Sequence, residues 1–345
     1  MGTLLILLVL SAIVAFHELG HFLFAKLFNV KVDVFSVGFG PRILSKKFGE
    51  TEYRIAAIPL GGYVKMVGEE LTDSLADNAD PRSYTSKVWW QKFLILFAGP
   101  AFNFILGIAL LFSFYLINGV PKTSNKIAEV VKESPADHAG IKPGDAIIKI
   151  DDIPVNNWRD LASKINIDQK NTEIKLEVKR GRSEQITVSV RPELTDQGPK
   201  IGVVGEKPVV VYGPREALME SYRASKEMLT LMAGGLKDLF TGKVKFKDAV
   251  SGPVGIIDFG KKTSSERGFG GILLFAALIS FNLGLINLFP IPVLDGGNIV
   301  IVITEAVMRK PLNRRLRAAV QTIGIVLLLA LMAFAIFNDI GRLTK

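Results

Sequence analysis

The sequence contains no cysteine, which excludes disulfides and thiolate metal ligands and leaves the compartment unreadable from redox chemistry. Histidine is scarce: His17, His21 and His138 are the three in 345 residues. Any imidazole chemistry must come from that short set. No basic side chain precedes the first apolar run, which opens Met1-Gly2-Thr3, and a polar group interrupts it, so the segment is read as a retained span rather than a cleaved secretory signal. No basic block stands apart from the apolar segments. The net charge of +9 therefore speaks for orientation in a membrane and against a nucleic-acid partner.

What the chain does have is apolar length. Hydrophobic residues make up 49% and the mean hydropathy is +0.33, yet 22% of residues are charged. Membrane spans joined to a soluble part fit both values. Four runs approach or exceed the roughly 20 residues that cross a bilayer: 3–28, Phe93–Ile117, 271–294 and Val320–Phe337.

The first run carries His17-Glu18-Leu19-Gly20-His21, an HExxH sequence. Residues four apart on an α-helix stand nearly above one another, so both imidazoles can reach one metal ion. Zinc takes imidazole readily and leaves a position for water, and Glu18 can accept that water's proton. The alternative is a chance cluster of polar groups satisfying one another. Its setting argues otherwise, because ionisable groups inside an apolar span are costly and tend to be functional.

Residues 29–92 are punctuated by Gly and Pro between short β-prone pieces, including Ser36–Pro41 and Tyr53–Met66, and predict hairpin-like strands. An open edge there accepts an extended peptide, although a plain connecting sheet is equally compatible. The second run includes Gly99-Pro100-Ala101-Phe102-Asn103. Gly99 and Pro100 suggest close packing or a kink, and Asn103 is either interhelical glue or part of the site. From 118 to about 210 the pattern changes to half-buried strands, with Ile174, Leu176 and Val178, then Ile186, Val188 and Val190, at alternate positions. This stretch, with Ser134–Asp145 and Ile150–Val155, resembles a circularly permuted bacterial PDZ domain, in which His138 is a surface residue. Pro214–Asp248 has helical amphipathic spacing and predicts a helix on the membrane or over the site, or a simple linker.

Pro290 and Pro292 cannot continue a regular helix, so the third run should open near its end, where the backbone lines a protein cavity. Asp295, followed by Gly296-Gly297, is the acidic residue best placed as a third ligand; its alternative is a helix N-cap. Zinc with ionised Asp295 and Glu18 sums to zero charge, as a low-dielectric site requires. The short loop before the last run holds Arg309, Lys310, Arg314, Arg315 and Arg317 and should stay cytoplasmic. That orientation leaves both termini and the 118–212 domain outside and brings His17, His21 and Asp295 to the cytoplasmic side.

Together these residues resemble the site-2 protease family of intramembrane zinc metalloproteases, in its bacterial PDZ-containing, sigma-E-protease-like branch. The first motif is His17–His21, the second runs from Asn287 to Gly297, and Gly38–Gly40, Gly61–Met66 and Gly99–Asn103 look like accessory motifs. The resemblance implies zinc on His17, His21 and Asp295, Glu18 as general base and Asn287 holding the substrate backbone. It further implies that substrate pairs with an edge strand around Gly61, Gly62, Tyr63, Val64, Lys65 and Met66, and that the PDZ domain filters by size. Sigma-factor relatives often carry two PDZ modules and this chain has room for one, which leaves the filter and the substrate open.

The expectation is therefore a polytopic α-helical membrane protein of about four transmembrane helices, with membrane-associated β-hairpin segments and an inserted α+β PDZ domain. Residues 1–117 and 271–345 form the catalytic membrane part, 118–212 the extracytoplasmic PDZ domain and 213–270 a helical connector. The expected activity is zinc-dependent cleavage of single-pass substrates such as anti-sigma factors or signal-peptide remnants, in a bacterial inner membrane, by a protein that contacts lipid and acts as a monomer. A pseudoprotease that merely holds partners, or a transporter, is the competing reading. An intact Glu18 argues against a purely structural zinc.

Overall fold

A computed structural model of the chain describes residues 2–69, 80–121, 124–155, 158–167, 172–181, 184–195, 198–206, 209–249 and 251–343. It divides into two compact units, one of residues 1–117 with 213–345 and one of residues 118–212.

The larger unit begins with α1 (Gly2–Leu27), followed by the strands β1 (Val32–Phe48) and β2 (Thr51–Met66). The strands pair antiparallel around the turn at Gly49–Glu50. Their irregular register gives Val34 to Val37 partners on both sides, Glu52 to Ile55 on one and Gly62 to Lys65 on the other. The 62–66 stretch is thereby placed at an edge, with no further strand paired to it among the described residues. After α2 (Trp89–Asn118) the chain leaves this unit.

It returns with α5 (Pro214–Phe240), a short α6 (Phe246–Ala249), α7 (Pro253–Asn287), α8 (Asp295–Met308) and α9 (Arg314–Leu343). Four of these helices, α1, α2, α7 and most of α9, are long and apolar enough to cross a membrane. The fold is that of a polytopic membrane protein, α-helical with a β-ribbon. Two sequence expectations shift. The predicted helix over 214–248 stops at Phe240 and resumes at Phe246, because the chain turns at Thr241–Gly242. The third apolar helix reaches back to Pro253, with non-helical backbone at Gly268 separating its polar first part from its apolar second part. Buried Asp339 near the end of α9 accepts the Gly252 and Gly255 N–H groups at 2.9 and 2.8 Å, tying α9 to the uncapped start of α7.

The smaller unit contains β3 (Val120–Pro121), β4 (Ile127–Val130), α3 (Pro135–His138), β5 (Ala146–Ile150), β6 (Ile153–Pro154) and α4 (Trp158–Ile167). The strands β7 (Ile174–Arg180), β8 (Glu184–Val190), β9 (Glu193–Thr195), β10 (Gly198–Lys200), β11 (Val203–Gly205) and β12 (Val209–Val210) complete it. Its main sheet has the order β6-β5-β7-β8. Ile174, Leu176 and Val178 face inward from β7 and pack with Ile147, Ile150 and Leu161, so the period-two pattern marks the core face. The Arg180 guanidinium binds buried Asp145 through two hydrogen bonds of 2.9 and 2.8 Å and holds its carboxyl below the usual range. His138 is exposed and lies in this unit.

Candidate metal centre

Three side chains from the two ends of the sequence converge. His17 and His21 stand on successive turns of α1, and their Nε2 atoms are 3.3 Å apart. Asp295, the first residue of α8, places Oδ2 3.1 Å from His17 Nε2 and Oδ1 3.4 Å from His21 Nε2. It does not act as a helix N-cap, since Leu294 occupies that position and no side chain caps it. What brings Asp295 here is the opening of the chain after Asn287, where Pro290 and Pro292 deny the helix its next turns. Val293 in that turn has φ +86°, a strained conformation for a β-branched residue, held two residues before the carboxylate.

The donor set fits a metal ion. Tetrahedral zinc with bonds of about 2.0–2.1 Å puts neighbouring ligand atoms about 3.3–3.4 Å apart. The three separations of 3.1, 3.3 and 3.4 Å agree with that edge. Asp295 Oδ2 is buried without a hydrogen-bond partner among the described residues, although it faces His17 closely. A cation between these atoms removes that cost.

Helix α2 supports both imidazoles from behind. Ile95, Gly99 and Asn103 are spaced four apart on one stripe of α2, which runs antiparallel to the His17–His21 stripe of α1. The Ile95 carbonyl lies 2.8 Å from His21 Nδ1, and the Asn103 amide 3.1 Å from His17 Nδ1. Between them Gly99 gives the rings room, because a Cβ at that position would collide with His21 Nε2 and lie 2.8 Å from His17 Cε1. Sequence reasoning left Asn103 between glue and site; it contacts a site histidine directly.

The centre opens on a cavity of about 350 Å³ lined by Glu18, Tyr63, Val64, Met66, Glu69 and Asn287, among others. Asn287 Nδ2 stands 3.3 Å from His17 Nε2. Gly61, Gly62 and Lys65 belong to the edge stretch without lining the cavity. Gly62 nonetheless lies against the acid group: a Cβ there would meet Glu18 Cγ at 3.2 Å and the Ser36 carbonyl at 2.8 Å. Phe39 stacks on Tyr63 with ring centroids 6.2 Å apart, stiffening this wall. Glu69 escaped the sequence reading, since an acid after a strand reads as a solvated turn. Burial pushes its carboxyl up to about 7.

A family model described as peptidase family M50 matches residues 5–331. The chain belongs to peptidase family M50. This M50 peptidase, of the site-2 protease kind, is 34% identical over 338 residues to a Clostridium perfringens protein named as a zinc metalloprotease, with 97% of each chain covered. A Campylobacter jejuni protein of similar name is 34% identical over 356 residues, covering 97% of this chain and 92% of its own. The regulator of sigma-W protease RasP of Bacillus subtilis is 30% identical over 415 residues, covering 98% and 97%. Among solved structures, the PDZ domain of an SdrC-like protein from Listeria innocua covers 26% of this chain and 99% of its own, at 19% identity and a TM-score of 0.22. The M50 peptidase is a zinc metalloprotease and a multi-pass membrane protein.

Proposed function

We propose that this M50 peptidase hydrolyses peptide bonds within or near transmembrane segments, with His17, His21 and Asp295 as zinc ligands and Glu18 as general base. The observation that carries the reading is the three-ligand cluster at one cavity with Glu18 and an edge strand. When bound, zinc supplies a Lewis acid that polarises the scissile carbonyl and lowers the pKa of water. Glu18 takes the proton from the attacking water and hands it to the leaving amine. Asn287 Nδ2 donates to the substrate backbone beside His17. The 61–66 edge, comprising Gly61, Gly62, Tyr63, Val64, Lys65 and Met66, takes an unwound stretch of the substrate as an added strand, since a transmembrane helix hides its peptide bonds in its own hydrogen bonds.

The proposed substrates are single-pass proteins already shortened outside the membrane, such as anti-sigma factors, or remnants of signal peptides. Similarity to a protein named regulator of sigma-W protease supports the first class. The 118–212 unit is proposed as an extracytoplasmic PDZ domain that filters substrates, flanked by membrane parts 1–117 and 271–345 and the connector 213–270. The basic α8–α9 loop supports a cytoplasmic-side active site in a bacterial inner membrane, for a chain that contacts lipid and acts as a monomer. The test is a tagged single-span reporter coexpressed with the wild type or with Glu18→Gln. Cleavage by the wild type alone is expected, and cleavage by Glu18→Gln would refute the assignment of the base.

A further inference from the structure

In the proposed ligand set the lone pair of His17 Nε2 is committed to the metal. Nε2 faces Asp295 Oδ2 at 3.1 Å and His21 Nε2 at 3.3 Å, where a shared cation fits. A neutral imidazole carries one proton, so an unprotonated Nε2 puts the proton on Nδ1. That N–H points into the buried interface with α2 and needs an acceptor. The one side chain placed to supply it among the described residues is Asn103, which is fully buried and 3.1 Å from Nδ1.

The carboxamide of Asn103 has two ends of nearly equal shape. With Nδ2 toward His17, two donors confront each other in the metal-ready tautomer, and Oδ1 is left buried without a partner among the described residues. With the amide turned by half a rotation, Oδ1 accepts the Nδ1 proton. His21 already has the equivalent arrangement, its Nδ1 donating to the Ile95 carbonyl at 2.8 Å. Both metal-facing histidines are then tied through Nδ1 to the same stripe of α2.

We infer that Asn103 is a positioning residue that selects the Nδ1–H tautomer of His17 by accepting its proton, holding Nε2 ready for the metal. The inference rests on the proposed ligand set. Helix α7 backs this position: Ser280 Oγ donates to the Asn103 backbone carbonyl at 2.7 Å, and Gly284 brings α7 so close that a Cβ there would be 3.3 Å from Asn103 Cβ. An acceptor fixed behind a metal-bound histidine also raises the basicity of the ligand. Loss of such a partner weakens metal binding by roughly 10–100-fold.

The scarcity of histidine makes the tautomer measurable. With three histidines in the chain, selective ¹⁵N labelling gives six ring nitrogens, and the spectrum of the zinc-loaded full chain should show His17 protonated at Nδ1 and not at Nε2. In parallel, zinc transfer to a chromogenic chelator is followed for the full chain in detergent. Asn103→Leu, which keeps volume and loses the acceptor, should weaken zinc retention roughly 10–100-fold. Asn103→Asp, which can accept but not donate when ionised, should recover most of that loss, with circular dichroism confirming equal helix content in both. Zinc retention unchanged in Asn103→Leu, an Asp variant as weak as the Leu variant, or a His17 Nδ1 without a proton would overturn the inference. A wild type that holds no zinc at His17 would overturn the ligand set along with it, an outcome visible before any Asn103 variant is made.

Discussion

Asp295 Oδ2 and His17 Nε2 stand 3.1 Å apart, joining the first residue of α8 to the middle of α1. Neither helix can complete a three-ligand site alone. In the proposed ligand set the pairing makes metal binding depend on how α7 ends, because the 288–294 turn aims the carboxylate.

Replacing that carboxylate by an amide keeps the shape and removes the charge. Asp295→Asn should lower zinc from about one per chain to a small fraction, read by elemental analysis of the purified protein. Exhaustive chelation of the wild type should abolish cleavage in the same way, and zinc should restore it.

The gap at Gly99 matters to the proposed site as much as the proposed ligands do. Gly99→Ala drives a methyl group into the space of His21 Nε2 and against His17. Zinc binding and cleavage should both fall at least roughly tenfold, with helix content by circular dichroism unchanged, since displaced ligands rather than unfolding are the cause.

Gly62 separates the proposed base from the proposed ligands. A Cβ there presses on Glu18 Cγ and the Ser36 carbonyl, but not on either histidine. Gly62→Ala should therefore reduce kcat, by up to roughly 10²-fold for a misplaced base, while zinc content stays at the wild-type level.

A pH effect is expected outside the membrane helices. Arg82 and Lys26 both bind Glu50 at 2.5 Å and hold its carboxyl at about 2, below the ordinary 4.5. The folded value is the lower one, so the clasp contributes above pH 4.5 and is lost as pH falls toward 2. With its side chain 31% exposed, the effect should stay within about 1 kcal/mol. Wild type should lose melting temperature relative to Glu50→Gln across that window, and parallel curves would remove the clasp from the stability of the fold.

Much of this architecture is written in local patterns. Apolar length marks the four long helices, and the four-residue spacing of His17 and His21 puts them on one face through helical periodicity alone. The break at Pro290 and Pro292 follows from the missing N–H and the fixed φ of proline. Other features depend on which helix meets which. Asn103 and Gly99 read as packing residues in sequence, and their contact with the histidines exists only because α2 crosses α1 antiparallel at that height. Glu69 reads as a solvated turn until tertiary packing places it, half-buried, in the cavity wall. The extent of α7 was equally hidden, because the polar stretch before Gly268 has no apolar signal, yet forms helix.

The most direct measurement maps the cut. The purified chain is reconstituted in lipid with a single-span peptide tagged at both ends, and the products are identified by mass spectrometry alongside the zinc content. Wild type should cleave inside the apolar span and Glu18→Gln should not cleave at all, with about one zinc in each. Cleavage confined to residues outside the span, or undiminished in Glu18→Gln, would rule out intramembrane hydrolysis with Glu18 as its base.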